Sequence, residues 1–295
     1  MVIDRPDYRL DKQQARLAFE RAAATYDAAA ALQQEVGQRL MERLDLIRIQ
    51  PARILDLGAG TGVFSKALLR RYRKADVFAL DIALNMLRHT RRRGGWLRRP
   101  CCVCADGERL PFADDSVDFI FSNLALQWCM DLEPVFTELH RVLAPGGLLM
   151  FTTFGPDTLK ELRASWEAVD GYTHVNSFID MHNVGDALLQ TRWADPVMDA
   201  ERITVTYREV RTLMEDLKHQ GAHNVTAGRP RGLTGKQRLQ QFVQAYETYR
   251  RDGLLPASYE VVYGHAWSPQ NRTAAGRAEV PLAGLQPRRP SASHD

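Results

Sequence analysis

The residues of this chain that are best suited to chemistry begin with a run of closely spaced glycines. Gly58, Gly60 and Gly62 alternate with small residues in "LDLGAGTGVF", directly after a short apolar run that contains Asp56. Glycines there allow a positive φ and let a ligand lie against bare backbone, while the helix that follows offers free N–H groups. Those N–H groups suit a carboxylate or a phosphate. The loop, together with Asp56, is therefore a candidate ligand-binding site.

Two further carboxylates follow at the predicted ends of the next strands. Asp81 lies 21 residues after Gly60, and Asp106 closes "CCVCAD". An acid at the end of the second strand accepts hydrogen bonds from ribose hydroxyls, so Asp81 fits more than one class of nucleotide site. The dinucleotide fingerprint GxGxxG is incomplete, because Val63 stands where its third glycine belongs. Asp106, followed by the Leu-Pro turn of "ERLPF", instead suits a site that holds adenine laterally by its exocyclic amine.

Strand and helix patterns alternate around these residues between positions 53 and 154. Nearly continuous apolar strands that alternate with helices predict an α/β fold with a doubly wound, mostly parallel sheet. Two later strands, "RITVTY" and "SYEVVYGHAW", bring the sheet to seven strands and are expected to form an antiparallel edge. The five earlier strands are read in "ARILDLG", "DVFALD", "CCVCAD", "VDFIFSN" and "LLMFTTF".

Helical segments flank this alternation on both sides. Residues 11–44 contain no Pro and no Gly before Gly37, so they predict one or two helices. The segment after residue 268 is rich in Pro, Arg, Ala and Ser and is expected to be disordered. We therefore divide the chain into an N-terminal helical lid segment (1–50), a ligand-binding core (51–155), covering helices with the final strands of the same domain (156–267) and a tail (268–295).

Length and composition place the chain among ordinary soluble globular proteins, with 295 residues, 45% apolar and 25% charged. No run reaches the roughly 18 apolar residues of a membrane helix and no apolar signal core opens the chain, so we expect a cytoplasmic protein with no membrane partner. A formal charge of +3 is too small to indicate a nucleic-acid partner. Cys101, Cys102 and Cys104 lack zinc-site spacing, so we expect no metal and place them on a buried strand, with Cys129 as a separate reduced thiol.

These motifs resemble those of class I S-adenosylmethionine-dependent methyltransferases. "ILDLGAGTG", "ALD", "CADGERLPFADDSVDFIFSN" and "ELHRVLAPGG" follow one another in the family's order between residues 54 and 147. The resemblance implies a Rossmann-like fold and S-adenosylmethionine as the cofactor. It also implies that Gly58 and Gly60 face the methionine part, Asp81 the ribose, Asp106 with Gly107 the adenine, and Asn123 the region beside the sulfonium.

The resemblance extends beyond the core. "AFERAAATYDAAAALQQEVGQRL", "SNLALQWCMDL" and "DLKHQGAHNVTAGRPRGLTGK" are similar to the malonyl-[acyl-carrier protein] O-methyltransferases of biotin synthesis. This implies methylation of the free carboxylate of malonyl-acyl-carrier protein, with that acidic protein as the partner. Mitochondrial assembly factors of respiratory complex I, thought to hydroxylate an arginine, are similar across "TLKELR", "LMEDL" and "YEVVYGHAW". The alternatives are a methyltransferase on another small acid or lipid, and an assembly-factor-like protein that binds S-adenosylmethionine.

A malonyl substrate would set simple chemical requirements. Its carboxylate has a reference pKa of about 4, so it is already the nucleophile at neutral pH and no general base is sought. An arginine would hold it bidentately, and Arg163 ranks first because its helix directly follows the fifth strand. Tyr26, in "AAATYDAAA", is expected to close over the transfer site as a lid. The weaker candidates are Arg211, Arg229, Arg231, His174 and Asn176.

Arginines also cluster at residues 70–74, 91–93 and 98–99. Such clusters are often solvated helix ends and loops, and that interpretation stands beside a functional one. A docking face for an acidic carrier protein is the functional interpretation. The sequence does not reveal which cluster lies on the side of the ligand site.

Overall fold

The computed structural model describes residues 10–270 apart from residues 97, 223, 230, 231 and 233. In this part of the chain, seven β-strands pair into one sheet. In chain order the strands are β1 (Arg53–Leu57), β2 (Asp76–Asp81), β3 (Cys101–Cys104), β4 (Val117–Asn123), β5 (Leu143–Phe154), β6 (Ala194–Tyr207) and β7 (Leu255–Trp267).

The strand order is β3-β2-β1-β4-β5-β7-β6, which confirms the predicted doubly wound, mostly parallel sheet. β1 to β5 pair in parallel, whereas β7 is antiparallel to both β5 and β6. The expected antiparallel edge is therefore confirmed, since both pairings at that end of the sheet are antiparallel. Because β7 is inserted between β5 and β6, β6 points the same way as the parallel strands. The chain order reverses between β1 and β4, so their carboxyl ends border the crevice where such sheets bind ligands.

Helices cover both faces of the sheet. The helices of the described residues are α1 (Lys12–Ala22), α2 (Tyr26–Ala29), α3 (Ala31–Arg43), α4 (Val63–Arg71), α5 (Leu84–Arg93), α6 (Leu132–Val142), α7 (Lys160–Glu167), α8 (Met181–Gln190), α9 (Val210–His219) and α10 (Lys236–Glu247). None of them is long and apolar enough to cross a membrane. Residues 11–44 form three helices rather than one or two, because a turn at residues 23–25 separates α1 from the single turn of α2.

Alternate residues of the central strands pack into two different apolar layers. On β1, Ile54 belongs to the layer that includes α3 and α4, and Leu55 belongs to the layer that includes α6 and α8. Phe119 and Ile120 divide in the same way on β4, and all four side chains are fully buried. Burial on both faces explains why these strands read as continuous apolar runs.

The prediction of a buried third strand is wrong. Cys101, Cys102 and Cys104 of β3 are exposed, and their thiols are free, as is that of Cys129. β3 is the outer strand of the sheet and pairs on one side only, with β2, so helices do not enclose it as they enclose β1 and β4. A short run of small apolar residues therefore looks alike at the edge and at the centre of a sheet.

The predicted tail lies almost entirely outside the described residues, which end at residue 270. The backbone N–H of Ser268 donates to the carbonyl of Gly147 at 2.9 Å, and the N–H of Gly146 donates to the carbonyl of Ser268 at 2.9 Å. Ser268 is buried. The chain thus keeps contact with the start of β5 just beyond the end of β7.

Candidate functional site

A cavity of about 820 Å³, open to solvent on one side, lies at the carboxyl ends of β1, β2 and β4. Its lining combines strand ends with the first two helices of the chain. The strand ends and the loops after them contribute Leu57, Gly58, Gly60, Leu80, Asp81, Asp106, Gly107 and Asn123, and the helices contribute Lys12, Ala15, Phe19 and Tyr26.

The glycine loop after β1 forms part of the cavity wall. Gly58 and Gly60 have φ of +73° and +55°, values that favour glycine. The N–H groups of Gly58 and Ala59 both donate to the carbonyl of Leu80, at 2.8 and 2.9 Å, and so join the loop to β2. A Cβ at Gly58 would lie 2.3 Å from the Cβ of Ala125, which is too close for any side chain. The loop therefore requires glycine at position 58 for both conformation and space.

Asp81, the last residue of β2, lies under this loop and is buried. Its Oδ2 accepts the N–H of Gly60 at 2.9 Å, and its Oδ1 accepts the N–H of Ala83 at 2.8 Å. Burial raises the pKa of Asp81 to about 6, although these backbone N–H groups oppose the rise. Each oxygen retains a further lone pair that can accept a hydroxyl.

Asp56 does not line this cavity. It lines an adjoining cavity of about 420 Å³ that shares Tyr26, Gly58 and Gly60 with the first. Its buried carboxylate accepts the hydroxyl hydrogen of Ser65, and burial raises its pKa to about 7. Asp56 thus faces the adjoining cavity, while the carboxylate of Asp81 lies near enough to add to the rise of its pKa.

Asp106 follows β3 and forms an ion pair with a lysine that the sequence motifs did not indicate. The Nζ of Lys12 lies 2.8 Å from both carboxylate oxygens of Asp106 and 2.6 Å from the Oε2 of Glu108. Partial burial works against ionisation of Asp106, but the Lys12 ammonium and the N–H of Glu108 outweigh it and hold the pKa of Asp106 below its ordinary value. Asp106, which is predicted to contact the adenine, is therefore ionised and forms an ion pair with the lid segment.

Asn123 and Tyr26 stand where the two cavities meet, since both line each of them. The Nδ2 of Asn123 donates to the carbonyl of Gln33 at 2.9 Å, and its Oδ1 accepts the hydroxyl of Thr152 at 2.8 Å. Burial, with the nearby carboxylates of Asp81 and Asp27, raises the pKa of Tyr26 far above its ordinary value. Tyr26 is therefore a neutral phenol that the lid segment contributes to the site.

The lid segment is fastened over the cavity by polar side chains and one aromatic contact. The carboxylate of Glu20 accepts the N–H groups of Leu84 and Asn85 at 2.7 and 2.8 Å, which caps α5 from α1. The ring of Phe19 meets that of Trp128 edge to face, with centroids 5.0 Å apart. α1 is thus held both to the helix after β2 and to the segment after β4.

The predicted carboxylate clamp does not reach either cavity. Arg163 lines neither of them; its guanidinium donates to the backbone carbonyls of Pro156 at 3.0 Å and Thr158 at 3.2 Å. The side chain folds back on the loop before α7, because that loop offers free carbonyls within reach. That α7 follows β5 directly in the sequence therefore does not indicate where the side chain of Arg163 points.

The weaker candidates also lie elsewhere. Arg229 donates to the carbonyls of Val225 and Thr226, Arg211 is exposed on α9, and Arg231 lies outside the described residues. His174 stacks on Trp166 with centroids 3.9 Å apart, and its Nε2 lies 2.8 Å from Asp170. Asn176 is buried and accepts the N–H of Val225 at 3.3 Å. These contacts hold the covering helices together.

Among the residues that line the first cavity, sequence reasoning missed Lys12, Phe19 and Trp128, whose side chains are charged or aromatic. Trp128 carried a usable signal, because it closely follows β4 in "SNLALQW", at the carboxyl end of a central strand. Lys12 and Phe19 carried none, since they belong to an amphipathic helix whose docking position no local pattern reveals.

Similarity to known proteins agrees with this geometry. A family model described as "Methyltransferase domain" matches residues 55–151. The structure of Haemonchus contortus phosphoethanolamine N-methyltransferase 2 in complex with S-adenosyl-L-methionine covers 85% of this chain and 57% of its own, with a TM-score of 0.52 and 16% identity, and so shares the fold. The fold and the matched domain define an S-adenosylmethionine-dependent methyltransferase of class I.

The particular family follows from closer relatives. The malonyl-[acyl-carrier protein] O-methyltransferase of Gallionella capsiferriformans (strain ES-2) is 53% identical over 280 residues, which cover 93% of this chain and 97% of the relative. That of Laribacter hongkongensis (strain HLHK9) is 56% identical over 270 residues, 89% of this chain and 91% of the relative. The chain belongs to the malonyl-[acyl-carrier protein] O-methyltransferase family.

Proposed function

We propose that this protein transfers a methyl group from S-adenosylmethionine to the free carboxylate of malonyl-acyl-carrier protein, an early step of biotin synthesis. The product is the methyl ester of the malonyl thioester. One observation carries the proposal: a single cavity is lined by Gly58, Gly60, Asp81, Asp106 and Tyr26. The chain that forms it is 53% and 56% identical to two named malonyl-[acyl-carrier protein] O-methyltransferases, over 93% and 89% of its length.

The lining of the cavity fits the cofactor. A Cβ at Gly60 would meet only the Cε1 of Tyr26, at 3.9 Å, so the missing side chain leaves space between the loop and the lid. We assign Gly58 and Gly60 to the amino-acid end of the cofactor. Asp56 stays a candidate for the same end, through the adjoining cavity that it lines.

The nucleoside end fits the acids at the ends of β2 and β3. We assign Asp81 to the ribose hydroxyls, because both of its oxygens keep lone pairs beside the bonds to Gly60 and Ala83. We assign Asp106 with Gly107 to the adenine, and Asn123 to the region beside the sulfonium. When bound, S-adenosylmethionine supplies a methyl carbon made electrophilic by its positively charged sulfur.

The acceptor needs little activation from the protein. A carboxylate with a reference pKa of about 4 is ionised at neutral pH, so no residue has to remove a proton from it. What the chain must supply is position and a dry site, and positioning is worth several kcal/mol, up to about 7–11 in favourable cases. Tyr26 is suited to this task as a neutral, partly buried ring that lines both cavities. Arg163 stays a candidate carboxylate clamp only if the loop of Pro156 and Thr158 releases its guanidinium.

Esterification changes the charge of the bound acyl group. The substrate carries one negative charge at its free end, and the methyl ester carries none. A site that recognises the carboxylate therefore loses its hold on the product, which favours release. The added methyl group gives the product a distinct mass, and the loss of charge gives it a distinct mobility, by which it is detected.

Growth of a bacterial strain that lacks its own enzyme for this step tests the proposal in cells. Expression of the chain should restore growth without biotin, and so should Gly171→Ala, whose added Cβ meets nothing within 4 Å. Asp81→Ala, expressed to the same soluble level, should not restore growth. Soluble, folded wild-type protein that fails to support growth would overturn the proposal.

A further inference from the structure

The three arginine clusters, separate in sequence, form one surface in the structure. The guanidinium of Arg98 donates to the carbonyls of Leu69 at 2.9 Å and Ala75 at 2.8 Å. These two bonds tie the connection between α5 and β3 to the last turn of α4 and to the connection between α4 and β2. We call the result the arginine surface; it consists of Arg70, Arg73, Lys74, Arg91, Arg92, Trp96, Arg98 and Arg99.

This surface reaches the rim of the candidate site. Arg93, the last residue of α5, donates through Nε to the carbonyl of Thr61 at 2.9 Å and forms an ion pair with Asp27. Thr61 and Asp27 both line the cavity that adjoins the first. A partner bound to the arginine surface would therefore sit beside the site, within reach of it and without covering it.

Most of the positive charge of this surface is unpaired. Arg91 and Arg92 are exposed and form no ion pair with a carboxylate within the described ranges. α5 contains no acidic residue. Carboxylates do meet its margins, where Asp45 pairs with Arg71 at 2.6 Å and Asp27 pairs with Arg93. Exposed like charges without partners repel one another, so their concentration here favours a negatively charged ligand.

A large apolar side chain stands in the middle of these charges. Trp96 is 88% exposed, in the segment "RRRGGWLRRP" that links α5 to β3. Trp and Arg are the side chains most enriched among residues that dominate binding energy at protein interfaces. An exposed Trp surrounded by arginines thus matches a protein-docking site better than a merely solvated face.

We propose that the arginine surface docks the acyl carrier protein, with the arginines facing its acidic side and Trp96 as the apolar anchor. The proposal rests on the proposed function, which supplies an acidic protein as the bearer of the substrate. Docking beside the adjoining cavity leaves the acyl group free to enter from the rim at Arg93. Complementary charge of this kind acts mainly on the rate of association and weakens as salt rises.

Steady-state kinetics with two malonyl substrates tests the surface. One substrate is malonyl-acyl carrier protein, and the other is a small malonyl thioester without a protein. Arg91→Gln with Arg92→Gln should lower kcat/KM for the carrier-borne substrate about tenfold at low salt, and Trp96→Ala should do the same. Neither change should alter kcat/KM for the small thioester. The matched control is Arg192→Gln with Arg208→Gln, which removes the same charge from exposed positions flanking β6, at the opposite edge of the sheet.

The outcomes separate this inference from the proposed function. If the unaltered protein methylates neither substrate, the proposed function fails and the docking surface fails with it. If it methylates both, but the arginine and Trp96 variants keep full activity on the carrier-borne substrate, the docking surface alone is wrong. A loss of affinity for an RNA oligonucleotide with unchanged use of the carrier would also overturn it, by assigning the surface to nucleic acid.

Discussion

The floor and the roof of the candidate site are built in different ways. The floor, formed by the strand ends and the loops that follow β1, β2 and β4, is held by backbone hydrogen bonds such as those from Gly58 and Ala59 to Leu80. The roof, formed by α1 and α2, is held largely by side-chain pairs, whereas α3 packs into the buried core through Val36 and Leu40. Lys12 with Asp106 and Arg93 with Asp27 are examples, and all four side chains are between a quarter and a half exposed.

This difference indicates which part moves. Exposed ion pairs contribute about 0–1 kcal/mol each, whereas the floor is continuous with the buried sheet. We therefore infer that the floor is formed before the cofactor arrives and that the roof parts to admit it.

Gly58→Ala should break the floor. The new Cβ would meet Ala125 at 2.3 Å, and the residue would have to keep a φ of +73°. We expect affinity for S-adenosylhomocysteine to fall by at least about 100-fold, or about 3 kcal/mol, since a strained residue and a clash each cost about 1–3 kcal/mol. Isothermal titration calorimetry measures the change, and Gly171→Ala is the control. Near wild-type affinity for a folded Gly58→Ala would show that the loop is not a rigid floor.

Asp56→Asn should stabilise the floor at high pH. Because the pKa of Asp56 is about 7 when folded and ordinary when unfolded, the stability associated with this acid is greatest at low pH and is lost as pH rises towards 7. At pH 8 the uncharged amide should raise the free energy of unfolding by about 2 kcal/mol, and at pH 5 by much less. Urea unfolding at both pH values measures this, with exposed Asp186→Asn as the control. A gain independent of pH would contradict the buried-charge explanation.

Asp81 should make cofactor affinity depend on pH. Its pKa of about 6 means that the carboxylate is lost as an acceptor below that pH. Affinity for S-adenosylhomocysteine should fall about fivefold from pH 6 to pH 5 and approach about tenfold per pH unit below that, the slope of one bound proton. Asp81→Asn should bind more weakly at pH 8 and should not show this step. If the variant keeps the same pH dependence, another group controls the affinity.

Glu20→Gln should loosen the roof and spare the floor. The change removes the negative charge from the N-terminus of α5 and one of the two acceptors for Leu84 and Asn85. We expect a loss of about 1 kcal/mol of stability, as for a helix cap, and faster hydrogen exchange in α1 with little change in β1 and β2. Exposed Glu215→Gln is the control. Equal acceleration in the sheet would show that floor and roof open as one unit.

The same contrast explains how far the sequence could be read. The floor was predictable because its residues follow apolar strands directly, as Gly58 and Asp81 do, and strand ends meet at one edge of a parallel sheet. The roof depends on partners far apart in the chain. Lys12 meets Asp106 across 94 positions, and no local pattern specifies that pairing. Tyr26 could be selected as a candidate because it is the one large side chain among the small residues of "AAATYDAAA".

The differences between the sequence-based predictions and the structure have related causes. Arg163 was placed in the correct helix, but its guanidinium bonds to the backbone of its own loop, and side-chain direction is set by carbonyls that the sequence does not display. Cys102 was assigned to a buried strand because an apolar run does not distinguish the centre of a sheet from its edge. The fold class and the antiparallel edge depend on periodicity and were predicted; the order β5-β7-β6, in which the last strand is inserted, has no local signal in the sequence.

Methyl transfer from labelled S-adenosylmethionine, followed by the mass of the product, tests the central claim most directly. The assay compares malonyl-, succinyl- and acetyl-carrier proteins. We expect methylation of the malonyl form, with the mass of a methyl ester, no product from the acetyl form, which has no free carboxylate, and little from the longer succinyl form. Confirmed binding of the cofactor without transfer to any of the three would contradict the account and favour a role in assembly or hydroxylation.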